Sequence, residues 1–381
     1  MRKLLIVFFF LVGLIGCTIG RGSGTFPPSA EMTAEPPVSP ADDGGDHGLL
    51  VANGLSETIT LIERTSGIWS VTADILPTGQ APNQMLVHNG VCYIVNSLSN
   101  SIQMIDLASL SIAGEMSTGP GTNPMMLTML DETTGFVSCY LSDEVLMVDL
   151  GLNTYPDQRV ISRIPMPSPE ELPHDAGTAT RAAPGGLVVV ADSCYVACAN
   201  LSMMHVAGGP GLLVEIDIPN RSIRESYTLS GRDTTGLLHS SRFPNRLIII
   251  SAGDYQPGKG FVGTGVVESF DIVSCDVFQI VEVDGAPLNG VIGAEDILLL
   301  ENGSSGPILR VDLHTGEALS SYHLPETGLP MSFASALLAM PGLVCATDFN
   351  ADSMYLIDPL SGEILAELAT GDGPDALALI Y

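Results

Sequence analysis

A short unit, in which an apolar strand ends in an acidic residue and a turn follows, recurs seven times between residue 48 and the C-terminus. Successive terminal acids lie 41 to 68 residues apart. They are Glu63, Asp106, Asp149, Asp217, Asp271, Asp312 and Asp358. Self-similarity at such a period is typical of repeat architectures, because each unit buries its apolar face only against its neighbours. The repeat therefore limits the fold more than any other feature of the chain.

Each unit contains four strand-like segments. In the second unit an apolar strand, Cys92–Asn96, precedes the acid-ending strand, a more polar strand, Ile112–Ser117, follows it, and a turn rich in Gly and Pro leads to the next unit. Four strands per roughly 43 residues predict a propeller blade. The repeat starts on a second strand, Leu49–Asn53, and ends on an innermost strand, Asp375–Tyr381. We predict an all-β fold over residues 48–381, a seven-bladed β-propeller closed by pairing of its N- and C-terminal strands in one blade.

One repeat also resembles a known family. Tyr93-Ile94-Val95-Asn96, followed by Asn100-Ser101-Ile102-Gln103-Met104-Ile105-Asp106, resembles the YVTN repeat of bacterial and archaeal propellers. Weaker copies are Leu50-Val51-Ala52-Asn53 and Ser353-Met354-Tyr355-Leu356-Ile357-Asp358. The resemblance implies a propeller fold and an extracytoplasmic setting. It implies no reaction, because one fold serves many functions.

The amino terminus predicts export and lipid anchoring. Arg2 and Lys3 precede an apolar run, Leu4 to Ile15, which is too short to span a bilayer as a helix but fits a secretory signal over residues 1–16. The run ends in Leu14-Ile15-Gly16-Cys17, which resembles the lipobox of bacterial lipoproteins and implies lipidation of Cys17. Thr18 follows in place of the aspartate that retains lipoproteins at the inner membrane. We therefore expect a membrane-anchored protein at the outer membrane or cell surface.

Residues 17–47 predict a disordered linker. They are rich in Gly, Pro, Ser, Thr and acids, lack apolar periodicity, and so bury too little apolar surface to offset the entropy lost on ordering.

The charge of the chain limits its partners. Forty-three Asp and Glu against 14 Lys and Arg give a formal net charge of −29, and no basic stripe offsets it. Such a surface repels phosphate backbones, so we expect no nucleic-acid partner. The acidic balance fits a solvated, self-repelling surface on a monomer, with attraction for cations or basic partners as the alternative.

Three long insertions are predicted to crowd one sector of one face. They are Pro165–Pro184 between blades 3 and 4, Leu201–Gly211 within blade 4, and Gly253–Gly265 within blade 5. Long loops on a rigid scaffold commonly carry binding sites. The candidate ligand-binding residues in and near them are His174, Asp175, Arg181, His205, His239, Asp254, Tyr255 and Lys259. No two of these histidines have a metal-ligand spacing, so we assign no catalytic residue, metal ligand or cofactor and leave a structural divalent cation open.

Two residue types have structural roles. The acids that end the third strands are expected to accept hydrogen bonds in the following turns. Six cysteines follow Cys17, and five of them lie on second strands, where small apolar side chains suit tight packing. We expect mostly free, buried thiols.

Three classes of function are compatible with these features. The tether and rigid disc favour a binding or scaffolding module for an envelope protein or a small ligand. The alternative is an enzyme of the lactonase or lyase type, with its site on the long-loop face or in the central channel. A redox partner is disfavoured, because no Cys-x-x-Cys-His haem motif occurs and Trp69 is the single tryptophan.

Overall fold

A computed structural model describes residues 45–154, 158–175, 180–303, 307–325 and 333–381. These residues form seven four-stranded antiparallel sheets arranged as the blades of a propeller, which confirms the predicted fold class. The predicted signal peptide, Cys17 and most of the predicted linker lie outside the described residues. The last predicted linker residues join blade 1, because the first strand begins at His47 and Arg64 Nη1 donates to Gly45 O at 3.1 Å.

The strands follow the chain blade by blade. Blade 1 contains β1 (His47–Asn53), β2 (Thr58–Thr65) and β3 (Ile68–Pro77). Blade 2 contains β4 (Pro82–His88), β5 (Val91–Asn96), β6 (Ser101–Asp106) and β7 (Ser111–Ser117). Blade 3 contains β8 (Pro124–Met129), β9 (Thr134–Cys139), β10 (Glu144–Asp149) and β11 (Val160–Pro165). Blade 4 contains β13 (Pro184–Val190), β14 (Ser193–Cys198), β16 (Leu212–Asp217) and β17 (Ser222–Thr228), flanked by the short pair β12 (Thr180–Arg181) and β15 (Leu201–Ser202).

The remaining strands complete the ring. Blade 5 contains β18 (Thr234–His239), β19 (Arg246–Ser251), β22 (Thr264–Asp271) and β23 (Val277–Asp284), with a hairpin of β20 (Asp254–Gln256) and β21 (Gly260–Val262) between its second and third strands. Blade 6 contains β24 (Pro287–Ile292), β25 (Ile297–Asn302), β26 (Ile308–Asp312) and β27 (Ala318–Tyr322), with a short 3-10 helix at Ala294–Asp296. Blade 7 contains β28 (Ala334–Met340), β29 (Leu343–Asp348), β30 (Ser353–Ile357) and β31 (Ile364–Ala369). The last strand, β32 (Pro374–Leu379), is the innermost strand of blade 1.

The ring closes where the two ends of the propeller meet. β1 pairs with β32 in antiparallel register, with Leu49 opposite Leu379. Beyond the strands, Gly48 N donates to Tyr381 O at 3.1 Å, and Tyr381 Oη donates to Glu63 Oε1 at 2.8 Å. Closure leaves no innermost strand unpaired at this junction, as the repeat predicted.

The apolar core lies in layers between neighbouring blades. Between blades 2 and 3, Val95 and Met104 pack against Leu127, Val137 and Leu146, all of them buried. All six residues of β5 are buried, because a middle strand packs between sheets on both faces, whereas β7 at the rim is mostly exposed. The continuous apolar runs of the middle strands, rather than strict alternation, follow from this double burial.

The two faces of the ring differ in their connections. The loop face carries the links from second to third strand and from each outermost strand to the next blade. The turn face carries the other turns. On the turn face, Asp271 accepts backbone N–H groups of Val273 and Ser274 at 2.9 Å each. The same turn bond is made by Asp106, Asp149, Asp217, Asp312 and Asp358. The predicted turn role of these acids is confirmed, and only Glu63 of the seven instead accepts Tyr381 Oη.

The six cysteines of the described residues are free thiols. Five are buried between blades, as expected, and Cys275 is exposed in a turn of blade 5. Within the part of the chain that the structure describes, no helix is long and apolar enough to cross a membrane.

Candidate functional site

The three insertions meet on the loop face at Arg232. Its Nη2 donates to Asp175 Oδ2 of the first insertion at 2.8 Å and to Ala207 O of the second at 3.1 Å. Its Nε donates to Asp254 Oδ1 of the third insertion at 2.6 Å. One guanidinium thus joins all three insertions, and its fixed fork of donors makes this geometry available to Arg but not to Lys.

Hydrogen bonds to backbone atoms hold the first insertion against the second and against Asn200, the residue that precedes the second. Asp175 N donates to Gly208 O at 2.7 Å, and Asn200 Nδ2 donates to Pro173 O at 2.5 Å. A side chain at Gly209 would collide with the carbonyl of Pro173, so the two segments approach this closely only because residue 209 is glycine. The insertions therefore form one packed surface rather than three separate loops.

A cluster around Tyr140 lies beneath this surface. Tyr140 Oη and His205 Nδ1 are 2.9 Å apart, and the two rings are stacked with 5.8 Å between centroids. The guanidinium of Arg181 lies over the Tyr140 ring, 4.4 Å from its centroid, and pairs with Asp143 Oδ1 at 3.2 Å. Burial, followed by the charge of Arg181, lowers the pKa of His205. At neutral pH the imidazole is therefore neutral, with one ring nitrogen as donor and the other as acceptor.

Two carboxyl groups of the cluster have raised pKa values. Burial, followed by the charge of Asp254, raises the pKa of Asp233 to about 7. Burial also raises the pKa of Asp143, although the N–H of Ala183 and the charge of Arg181 oppose the shift. Burial and the charge of Asp233 raise the pKa of Tyr140, so its phenol stays protonated. Of these groups Asp233, with a pKa of about 7, can exchange a proton near neutral pH, as acid–base centres do.

The outer surface of the site is partly apolar. Met203 and Met204 are 78% and 69% exposed at the tip of the second insertion. Their turn is fixed because His205 N donates to Ser202 O at 2.9 Å and Val206 N donates to Ser202 Oγ at 3.2 Å. These methionines are presented to solvent rather than used to fill the core.

Four of the sequence-predicted residues come together here. Asp175 and Asp254 both bind Arg232, and Arg181 and His205 both contact Tyr140.

The other four predicted residues lie apart from this arrangement. His174 Nδ1 lies 3.0 Å from Leu172 O within its own loop. Tyr255 is buried against Phe261 across the β20–β21 hairpin, and Lys259 Nζ at the hairpin tip donates to Gln256 Oε1 at 3.2 Å. His239 ends β18 on the turn face, five residues and therefore roughly 17 Å along the strand from its loop-face end, so it does not reach the cluster.

Sequence reasoning missed Tyr140, Asp143, Arg232 and Asp233. Tyr140 and Asp143 lie in a short loop of blade 3 that has no insertion to draw attention to it. Arg232 had a usable signal, because it is a cation in a blade-connecting turn of a chain with only 14 Lys and Arg. Within the described residues no three His, Cys, Asp or Glu side chains are grouped as a metal site.

Solved structures with this fold have varied functions. The chain is similar to a putative 6-phosphogluconolactonase from Bacteroides fragilis, at 13% identity over 88% of this chain and 98% of that one, with a TM-score of 0.63. It is also similar to virginiamycin B lyase from Staphylococcus aureus, at 16% identity over 77% and 87% of the two chains, with a TM-score of 0.57. A nidogen/laminin complex matches at 9% identity over 88% and 99%, with a TM-score of 0.52. No protein-family model and no curated protein matches the chain. At these identities the likenesses show the β-propeller fold alone.

Proposed function

We propose that the chain is a binding module displayed on the cell envelope, and that its partner docks on the loop face in the sector of blades 3 to 5. The observation that carries this proposal is the contact of Arg232 with all three insertions, which fixes them as one surface on a rigid ring. A surface fixed before binding loses little conformational entropy when a partner docks.

The chemistry of this surface favours a protein partner. Exposed Met203 and Met204 provide adaptable apolar contacts, as methionines do at many protein-binding surfaces. The side chains of Asp175 and Asp254, on the same face, remain 59% and 47% exposed, although both bind Arg232. A face that exposes methionines and acids complements an apolar side chain flanked by Lys or Arg on the partner.

Photo-cross-linking in intact cells tests the docking face. A photoreactive residue in place of Met204 is expected to cross-link one envelope protein. The matched control is Val273, which is 75% exposed on the turn face and is expected to give no such product. Equal cross-linking from both faces, or none from position 204, would contradict the proposal.

The membrane anchor is a second part of the proposal. It rests on the signal-like residues 1–16 and the lipobox-like segment ending in Cys17. Labelled palmitate is expected to enter the wild-type protein and to be absent from Cys17→Ser, which should leave the membrane fraction. Membrane retention and labelling of the variant would contradict the anchor without bearing on the docking face.

An enzyme of the lactonase or lyase type is the second candidate, favoured by one observation. The Tyr140–His205 hydrogen bond lies near the carboxyl group of Asp233, whose pKa of about 7 suits proton transfer. Under this alternative, His205→Ala lowers kcat for lactone hydrolysis or ring-opening elimination by about 10²- to 10⁴-fold. Absence of turnover in the wild-type protein across a lactone panel would count against it.

A further inference from the structure

The residue two positions before each strand-ending acid lies on the strand face that packs against the next blade. In four blades it is apolar, at most 8% exposed and part of the core; these residues are Leu61, Met104, Met147 and Leu356. Blade 4 has Glu215 there, and Arg224 Nη1 pairs with its Oε1 at 2.6 Å. Blade 6 has Arg310, which faces blade 7 because Ile308, on the same side of β26, packs in one cluster with Val344. Blade 6 therefore has a cation at a position where four other blades have a core residue.

No acidic side chain neutralises the charge of Arg310 among the described residues. None of their ion pairs includes it, although the chain has 43 Asp and Glu. Its guanidinium lies over the ring of Tyr322, 4.4 Å from the centroid, and its Nη1 donates to Ser320 O at 3.1 Å. Its Nε is buried and has no hydrogen-bond partner among these residues. The edge of the guanidinium formed by Nε and Nη2 thus presents donors and a charge without a counterpart, which favours a bound anion.

Arg310 lines a cavity of about 160 Å³ between blades 6 and 7. The other walls are mainly apolar and include Leu299, Leu319 and Tyr322 of blade 6 and Met340 and Val344 of blade 7. Tyr322 Oη donates to Pro359 O of blade 7, which fixes this ring as a wall between the blades. Glu295 and Leu360 are exposed and mark the mouth of the cavity on the turn face. An apolar cavity of roughly 150 Å³ holds a molecule the size of benzene.

We propose that this cavity binds a small monocarboxylate with an apolar body about the size of a benzene ring. The carboxylate group accepts hydrogen bonds from the free edge of Arg310, since a guanidinium holds a carboxylate through two parallel N–H donors. The apolar body lies between Leu319 and Met340, where it is removed from water. Glu295 repels a second negative charge at the mouth, so a dicarboxylate or a phosphate is a poorer ligand. The site lies in blades 6 and 7 and is separate from the docking surface on blades 3 to 5.

Binding of benzoate to the purified chain tests this cavity. Saturation-transfer NMR titrations at pH 7 are expected to give a Kd of about 1 mM for benzoate, as is reasonable for a ligand with about nine non-hydrogen atoms. Benzamide has the same shape without the charge and should bind at least about tenfold more weakly, because it cannot neutralise Arg310. Benzylamine, a cation at this pH, should not bind.

Arg310→Met tests the cation. It places in blade 6 the residue type that blades 2 and 3 have at this position, so the fold should be retained while benzoate binding weakens at least about tenfold. The matched control is Arg163→Met, which removes an arginine paired with Glu144 on the rim of blade 3 and should bind benzoate as the wild type does.

Ala339→Leu tests the volume while Arg310 remains. Ala339 lines the cavity from blade 7, so a leucine there fills it and should abolish benzoate binding without lowering Tm. Absence of saturable benzoate binding by the wild type up to about 10 mM would overturn the proposal, and so would equal binding of benzoate and benzamide. Unchanged benzoate binding by Ala339→Leu would do the same, even if Arg310→Met failed to fold. None of these outcomes bears on docking at blades 3 to 5.

Discussion

The folded structure shifts the pKa values of aspartates downward on the turn face and upward on the loop face. On the turn face, backbone N–H groups of Ser274 and Val273 lower the pKa of Asp271, and the same kind of bond lowers the pKa of Asp312. On the loop face, burial raises the pKa values of Asp143, Asp233 and Asp375. Charged aspartates thus stabilise turns on the turn face, whereas burial disfavours the charged form of the aspartates on the loop face. The costly side is where the insertions gather, which is typical of a functional face.

Among the substitutions that test this difference between the faces, Asp233→Asn is expected to change the free energy of unfolding most. Because the pKa of Asp233 is raised to about 7 in the folded state, the folded protein holds a proton that the unfolded chain releases above about pH 4. This contribution to stability is full below pH 4 and is lost as pH rises through 7. We expect the variant to exceed the wild type in free energy of unfolding by about 4 kcal/mol at pH 8.5 and to match it at pH 4.

Chemical denaturation at both pH values measures this difference, with Glu132→Gln as the control for loss of one negative charge. Asparagine also tolerates the positive φ of 52° at position 233, so the backbone is not a source of strain. A variant less stable than the wild type at pH 8.5 would mean that the Asp233 carboxylate is favourably paired, and the contrast between the faces would fail there.

A smaller effect on global stability is expected for Arg232→Gln. Its ion pairs are partly exposed, so the loss is about 1 kcal/mol or less. The local effect is larger, because all three insertions lose a shared partner. Amide exchange measured by mass spectrometry should accelerate about tenfold in residues 201–207 and 254–262, with β6 unchanged.

The matched control is Arg242→Gln, which removes an arginine bound to Asp296 Oδ1 at 2.8 Å on the turn face. We expect it to leave exchange in the insertions unchanged. Equal acceleration by both variants would show that the insertions are not held together by Arg232.

The two faces also differ in how far the sequence predicts them. The role of the turn acids could be predicted because their contacts are local in sequence. Asp271 binds N–H groups two and three residues ahead, and the strand-ending acid recurs seven times along the chain. Closure of the ring was predictable for the same reason, because the repeat begins and ends part-way through a blade.

The loop-face site depends on contacts between distant parts of the chain. Arg232 joins residues 175, 207 and 254, and Tyr140 meets His205 across 65 positions. No local pattern encodes such pairings. Insertion length led to the correct sector and to four of the contacting residues. It also directed attention to Lys259 and Tyr255, which contact Gln256 and Phe261 of their own hairpin.

A still smaller effect, with the opposite dependence on pH, is expected for Asp271→Ala on the turn face. The pKa of Asp271 is lowered in the folded state by two backbone N–H groups, so its contribution is present above the unfolded value near 3.9 and is lost as pH falls through the folded value. We expect Tm to fall by about 1 to 2 °C at pH 6 and to match the wild type near pH 2. A loss of Tm that grows as the pH is lowered would contradict the assigned role.

The smallest effect on stability is expected at Cys275, which lies in the same exposed turn as Asp271. The other five thiols of the described residues are buried between blades, where burial raises the pKa of Cys92, Cys139 and Cys345 to about 12. A thiol reacts as its thiolate, so a disulfide reagent added to the folded chain carrying Cys17→Ser should modify one cysteine at pH 8. Adding Cys275→Ser should remove that reaction and leave Tm unchanged within about 1 °C. Rapid modification of a second thiol would mean that a blade interface opens to solvent, and the rigid ring on which the loop face is built would be in doubt.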